Sequence, residues 1–415
     1  MKKEIIIIGG GIIGLCSAYY LHKEGHKVSI IDQSNLEGGA SYVNAGYVCP
    51  SHIIPLAAPG AMKQGVKWMF DKSSPLYIKP RLDADFIKWS LAFNKSCTTK
   101  HVNKSIPIIR DISLLSQELY GDIRRDEGFQ FQLEHKGLLM LCQTEKLLEE
   151  EIKGANLARE YGLDASEISL DELKKLEPHV AINVKGGAYY KCDSHMTPQE
   201  FMSAMKTYLK ESGVAFFANE KVNDITLKNG AISAIQTDTK TYQADEFVLA
   251  AGSWSGLLSK KLNLQLLLQA GKGYCINVKE ETGISIPAIL CEARVAITPM
   301  HDFTRFAGTM EIAGINHNID TFRVNTIAKA VSNYYPEISL SEQDKNNAQA
   351  GLRPVSPDGM PYIGKSKKCK NLTIATGHAM MGWSLGAATG KLVSEVISNQ
   401  KKTLNLDAFD PDRTF

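Results

Sequence analysis

Residues 4–32, EIIIIGGGIIGLCSAYYLHKEGHKVSIID, read as one complete β-α-β unit of the dinucleotide-binding kind. Four consecutive isoleucines, Ile5 to Ile8, form the apolar run of a strand covered on both faces. Gly9, Gly11 and Gly14 follow in G-x-G-x-x-G spacing. The first permits a tight turn, the second lets backbone approach a diphosphate, and the third lets the helix sit close on the strand. Ile12 and Ile13 open that helix, whose unpaired N–H groups and dipole favour phosphate oxygens. The pattern predicts a helix to about Glu24, stopped by Gly25. Val28 to Ile31 is the second strand, and Asp32 at its end stands where a carboxylate reaches a ribose hydroxyl. The motif alone is weak evidence, but here strand, helix, second strand and acid occur in order.

Met-Lys-Lys before an apolar run also resembles a secretory leader. Glu4 in the basic region, glycines at dinucleotide spacing and the lack of a small-x-small cleavage site argue against it. The uncharged run is shorter than the roughly 20 residues of a membrane span. The expectation is a cytoplasmic fold that starts here. At 415 residues the chain suggests two domains, and 44% hydrophobic with 22% charged residues is ordinary for a globular protein. A net charge of +2 makes no electrostatic case for nucleic acid. Eight cysteines are scattered without a C-x-x-C pair, which argues against zinc and against a disulfide scaffold. His22 and His26 flank Gly25 and read as surface residues; no metal site is expected.

Glu37 to Tyr47 is a second glycine-rich loop, suited to close backbone approach to a cofactor. Prolines 55, 59, 75 and 80 punctuate short helical pieces carrying Trp68, Met69, Phe70, Trp89 and Phe93, interleaved with Lys63, Lys67, Lys72, Lys79, Arg81 and Lys88. Ile109, Ile112, Leu115, Leu119 and Ile123 predict a helix over 106–127. Strands are expected at 129–142 and 183–190, with a charged helix between them near 145–161. Thr197-Pro198-Gln199-Glu200 reads as a helix start with an N-cap and a capping-box glutamate. Asn229-Gly230 marks a hairpin, and 273–310 alternates like an antiparallel sheet. Buried strands at 247–252 and 372–377 both end in glycine, and 384–399 is a closing helix. A nucleotide-binding domain made of separated segments, with a second domain inserted, favours FAD over NAD.

The chain resembles the FAD-dependent D-amino-acid oxidase superfamily, most closely its bacterial D-amino-acid dehydrogenase branch. The resemblance spans nearly the whole length, through GGGIIG with Asp32, SYVNAGYV, MTPQEF, FVLAAGSWS, GLRPVSPDGMPYIG at 351–364 and ATGHAMMGWSLGAATG at 375–390. Residues 59–89 resemble the dehydrogenase branch specifically. The likeness implies a Rossmann-type FAD domain (1–55, 190–260 and 340–415) interleaved with an antiparallel-sheet substrate domain (56–189 and 261–339). It places the FAD diphosphate at Gly9 through Gly14, the ribose at Asp32 with Gln33 beside it, and the adenine near Val222. Ala40, Ser41, Ala45, Gly46 and Tyr47 would border diphosphate and flavin, with Ala251 and Gly252 nearby. Gly377, His378, Met381, Gly382 and Trp383 would bring backbone N–H groups to the flavin carbonyls.

Arg353 matches the arginine that clamps the substrate carboxylate, a task for which a guanidinium fork is suited. Two departures stand out. Val295-Ala296-Ile297-Thr298 lacks the tyrosine that helps hold the carboxylate in glycine-oxidase relatives. No cysteine occurs in 351–364, so the resemblance implies non-covalent FAD. The implied activity is oxidative deamination of a D-amino acid, or of a D-proline-type imino acid, by hydride transfer from Cα to flavin N5. Electrons would pass to a quinone or other carrier, with residues 56–100 as an acceptor-facing insertion touching the inner face of the cell membrane. The alternatives are a glycine or N-methyl amino-acid oxidase using oxygen, a non-catalytic flavin-binding regulatory protein, and an NAD-dependent dehydrogenase.

Overall fold

Glu4–Ile8 is the centre of a six-stranded sheet, paired in parallel with Lys27–Ile31 on one side and Glu246–Leu249 on the other. Ala215–Phe217 extends the first edge; Leu372–Thr376 and the antiparallel Tyr362–Lys365 extend the second. The computed structural model describes residues 2–68 and 74–415. Alternation sends Ile5 and Ile7 into a cluster beneath the helices, and Ile6 and Ile8 into a cluster with Phe247 and Leu249 on the opposite face. A strand covered on both sides has no position left for a polar side chain.

Helix Ile12–Lys23 lies hard against the turn that precedes it: a Cβ on Gly14 would stand 1.9 Å from the Gly9 carbonyl oxygen. The closing helix Gly386–Ile397 crosses it closely, since a Cβ on Gly390 would meet the Cys16 backbone at 2.4 Å. Helix Thr99–Glu127 begins earlier than expected, capped by the Thr98 side chain, and carries Pro107 without ending. Its Ile109, Ile112, Leu119 and Ile123 join the core beneath the central strand. Residues 99–127, expected in the substrate half, therefore pack with the nucleotide half.

The second sheet has nine strands. Its path runs Gln349–Val355, Gln269–Val278, Thr304–Ile312, Val295–Pro299, Ala288–Leu290, Leu138–Cys142, Gly186–Tyr190 and Ala165–Ser169. Leu76–Ile78 adds a parallel strand beside Thr304–Ile312. Gln349–Val355 pairs along Gln269–Val278, and the chain rejoins the first sheet at Tyr362. The Asn229-Gly230 hairpin forms, with both residues at positive φ (54° and 75°) as a two-residue turn of that handedness requires.

Three local readings are corrected. His26 is buried, not superficial, its Nε2 2.9 Å from Ser398 Oγ and its Nδ1 accepting from the Lys3 amide. Thr197 and Glu200 form no capping box. Thr197 donates to Gln132 Oε1, and Glu200 accepts from the Gln132 amide at 2.6 Å and pairs with His301, so both side chains tie the helix to neighbouring loops. Trp89 and Phe93 are core residues: their rings stack at 5.1 Å and the Trp89 indole donates to the Val355 carbonyl. Met69, Phe70 and Lys72 lie outside the described residues.

Candidate active site

A cavity of about 900 Å³ runs from the first glycine loop to the face of the nine-stranded sheet. At one end it is bordered by Gly9, Gly11, Ile12 and Ile13, with Asp32, Gln33 and Val222 beyond the second strand. Asp32 is already engaged: one carboxylate oxygen accepts from the Gly10 amide at 2.7 Å, the other from the Ser34 amide and hydroxyl. A Cβ on Gly9 would stand 2.4 Å from the Ala250 carbonyl oxygen, so the positive φ of this turn (110°) and its crowding both call for glycine.

The second glycine-rich loop brings Ala40, Ser41, Ala45 and Tyr47 to the same cavity. It is not a free connection. Ser41 Oγ accepts from the Ile12 amide at 2.9 Å, joining the two glycine loops at the helix N-terminus. Arg305, buried in the nine-stranded sheet, donates Nη1 to the carbonyls of Tyr42 (2.9 Å) and Asn44 (2.5 Å) and Nε to Asn277. Thr298 Oγ1 donates to the Ala45 carbonyl at 2.7 Å. Sequence reasoning missed this support, although a lone arginine inside the segment FTRFA was its visible trace.

Ala251, Gly252, His378, Met381, Gly382 and Trp383 border the middle of the cavity. Gly14, Gly46 and Gly377 do not line it. Each clears a backbone or ring contact instead, with an added Cβ at 1.9 Å from the Gly9 oxygen, 2.2 Å from the Met196 oxygen and 2.7 Å from the Tyr362 ring respectively. Trp383 Nε1 and His378 Nδ1 are buried without a hydrogen-bond partner among the described residues. Both residues border the cavity, so a polar aromatic cofactor bound there would lie beside two ring nitrogens that lack partners. His378 Nε2 lies 3.0 Å from Thr389 Oγ1, and burial pulls the imidazole down to about 3, so it stays neutral.

The substrate-side wall is one face of the nine-stranded sheet. Met140, Ile289, Ala296 and Ala307 occupy successive registered positions across four strands and make an apolar floor. Ala296, on the strand that lacks a tyrosine, puts a small side chain on this floor. Arg353 stands on the edge strand, in register with Gly271. Its guanidinium lies over Gly273, where a Cβ would be 2.3 Å from Nη1, and Nη1 donates to the Thr309 carbonyl at 3.0 Å. No carboxylate among the described residues lies within 4.0 Å of it. Burial pulls Arg353 down to about 10, which leaves it a cation at neutral pH. The site thus holds a half-buried positive charge that borders the cavity and has no carboxylate partner among the described residues.

Cys49, His52 and Asp193 also converge, their ligand-type atoms within 4.8 Å, although no sequence spacing announces them. Asp193 accepts from the Ser51 amide (3.0 Å) and hydroxyl (2.5 Å), and Ser51 Oγ lies 3.2 Å from His52 Nδ1. Burial lowers His52, and Cys49 and His52 both border the cavity. Above Arg353's end of the cavity, His317 stacks on Trp254 with centroids 5.9 Å apart.

Residues 4–396 match the family profile described as FAD dependent oxidoreductase. The chain is 31% identical over 409 residues to the D-amino acid dehydrogenase of Helicobacter pylori, covering 98% of each chain. It is 32% identical to that of Vibrio atlanticus, covering 97% of this chain and 98% of the other. Among solved structures it resembles glycine oxidase from Geobacillus kaustophilus (TM-score 0.79, 20% identity, 100% and 99% of the two chains). It also resembles L-proline dehydrogenase from P. horikoshii (TM-score 0.73, 18% identity, 99% and 97%). At those identities the two structures speak for the fold alone.

The neutral His378 makes stability depend on pH. Its folded pKa lies below the ordinary 6.5, so between about 3 and 6.5 the unfolded chain binds the extra proton. Its contribution is full above about 6.5 and is lost as pH falls, with a slope of about 1.4 kcal/mol per pH unit at most. Urea unfolding from pH 4 to 7 should show His378→Gln with a shallower slope than wild type, by about one proton.

Proposed function

The chain belongs to the family of FAD-dependent oxidoreductases, and from that membership we propose that it is a D-amino-acid dehydrogenase. The observation that carries the substrate class is Arg353, a half-buried cation that borders the cavity with no anionic partner of its own among the described residues. A partly desolvated charge without a counter-ion is unfavourable, and a substrate carboxylate can compensate it through a bidentate, charge-assisted pair. The D-amino acid dehydrogenases of H. pylori and V. atlanticus, alike over nearly the full chain, support the assignment. The unpaired cation also favours a catalytic reading over a purely regulatory flavin-binding one.

In this reading the diphosphate lies at Gly9 to Gly14 with Ser41, the ribose at Asp32 and the adenine beside Val222. The ring system runs between the 40–47 loop and the 378–383 turn, where the Trp383 and His378 nitrogens lack partners. FAD, when bound, supplies the two-electron acceptor for the hydride that leaves Cα. The protein's part is placement. Arg353 fixes the carboxylate, the apolar floor of Ala296 and Ala307 receives the side chain, and enclosure by the two sheets keeps bulk water out. No side-chain base is required: the amine proton passes to water, and the acyclic imino acid then hydrolyses to a 2-oxo acid and ammonia.

The acceptor is a quinone or another carrier, reached at a membrane surface. Support comes from residues other than the aromatics. Leu82 is 99% exposed, and Ile87 and Leu91, one turn apart on helix Ala84–Ser96, are 45% and 62% exposed, beside exposed Lys79, Lys88 and Lys95. Among the described residues no helix is long and apolar enough to cross a membrane. An apolar strip flanked by lysines fits peripheral attachment to anionic lipid.

FAD is bound without a covalent link, so acid precipitation should release the yellow colour into the supernatant; colour retained in the washed pellet would refute this. Arg353→Ala should lower kcat/KM for D-amino acids by about 10- to 150-fold, the worth of one charged hydrogen bond, with Arg353→Lys recovering only part. Near-wild-type kinetics with flavin fully bound would assign this arginine to structure. Replacing Leu82, Ile87 and Leu91 together by serine should abolish co-sedimentation with anionic vesicles and slow quinone reduction. The rate with a soluble dye acceptor should be kept, and unchanged sedimentation would remove the membrane from the reading.

A further inference from the structure

Thr309, Gly273 and Arg353 meet at a single irregularity in the nine-stranded sheet. Lys272 pairs with Glu311 and Tyr274 with Gly308, so Gly273 alone faces two residues, Thr309 and Met310. This is a β-bulge, and bulges re-aim side chains next to active sites. Thr309 holds φ at +59° inside strand Thr304–Ile312. That region is disfavoured for a β-branched residue, and such outliers persist where the surroundings impose them.

The bulge has three consequences at one place. It turns the Thr309 carbonyl onto Arg353 Nη1 at 3.0 Å, which sets the guanidinium's plane. It puts Gly273 where the guanidinium needs room, 2.3 Å from any added Cβ. It also leaves Thr309 Oγ1 buried without a hydrogen-bond partner on a residue that borders the cavity. A buried hydroxyl without a partner is rare and costly. Because the Thr309 carbonyl already touches the guanidinium, an acceptor bound on Arg353 comes close to this residue, and a change of χ1 to another staggered rotamer would turn the hydroxyl toward it.

We propose that Thr309 is the second substrate-carboxylate residue: its carbonyl orients Arg353, and its hydroxyl donates to the carboxylate that Arg353 binds. It would supply the second carboxylate contact for which strand Val295-Ala296-Ile297-Thr298 offers no tyrosine. The proposal rests on the carboxylate reading of Arg353.

The test is binding of a simple carboxylate, benzoate, to FAD-loaded protein, followed by calorimetry and by the change in flavin absorbance, with steady-state kinetics alongside. Thr309→Val keeps the shape and deletes only the hydroxyl. Benzoate affinity should fall about 10-fold or more, with KM rising and kcat changing less than about threefold. The melting temperature of the unliganded protein should be equal or higher, because an unpartnered buried hydroxyl has been removed; a merely structural role would lower it. Thr309→Ser should restore benzoate affinity. Thr309→Gly, which adopts this φ without strain, repeats the deletion if the valine variant does not accumulate. Unchanged benzoate affinity in Thr309→Val or Thr309→Gly, while Arg353→Ala loses binding, would overturn the role of Thr309 alone. Unchanged affinity in Arg353→Ala as well would overturn the carboxylate site itself.

Discussion

A strand buried on both faces must be covered twice and paired twice, and most of this architecture follows from meeting that requirement for Glu4–Ile8. One parallel neighbour comes from the adjacent β-α-β unit. The other is supplied by Glu246–Leu249, more than two hundred residues later, and is continued by Leu372–Thr376. Parallel pairing cannot be closed by a short turn, so the intervening chain is free to build elsewhere. It builds the nine-stranded sheet. Interleaving of the two halves is thus the topological result of completing one sheet with distant strands.

The site exists because those two sheets face each other across the cavity. One presents glycine turns, N–H groups and the orphaned nitrogens of Trp383 and His378. The other presents an apolar floor and one unpaired guanidinium. The 40–47 loop lies between them and is held from both sides, by the Ile12 amide on Ser41 and by Arg305 and Thr298 on its carbonyls. The two ends of the cavity are therefore set against each other by hydrogen bonds, not by loop packing alone. Placement of this kind is what an enzyme contributes when the cofactor carries the chemistry.

Residues 56–100 show how composition alone misleads. Aromatics among lysines resemble an interfacial anchor, yet Trp89 and Phe93 stack inside a small core with Met310 and Val355. Among the described residues of this stretch, the large apolar side chains most exposed to solvent are Leu82, Ile87 and Leu91, which attract no notice in a composition scan. Leu76–Ile78 ties the same segment to the cavity sheet. An exposed apolar strip and a strand of the cavity sheet are here parts of one stretch of chain.

Local chemistry made the nucleotide half legible. Glycine spacing, the isoleucine run, Asp32, the Asn229-Gly230 turn and the glycine-ended strands each have a cause within a few residues, so each could be read without knowing the fold. The motif segments around Arg353 and 375–390 were legible in the same way, through resemblance. What tertiary structure decided depends on which distant strands lie side by side. The membership of 99–127 and 349–355, the core positions of His26, Trp89 and Phe93, and the use of Thr197 and Glu200 as ties all follow from long-range contacts. So does the bulge: Thr309 acquires its strained φ and its place beside Arg353 because strand Thr304–Ile312 carries one residue more than its partner, Gln269–Val278, between two paired positions. Register between segments thirty residues apart is a property of their pairing, and no window of sequence contains it.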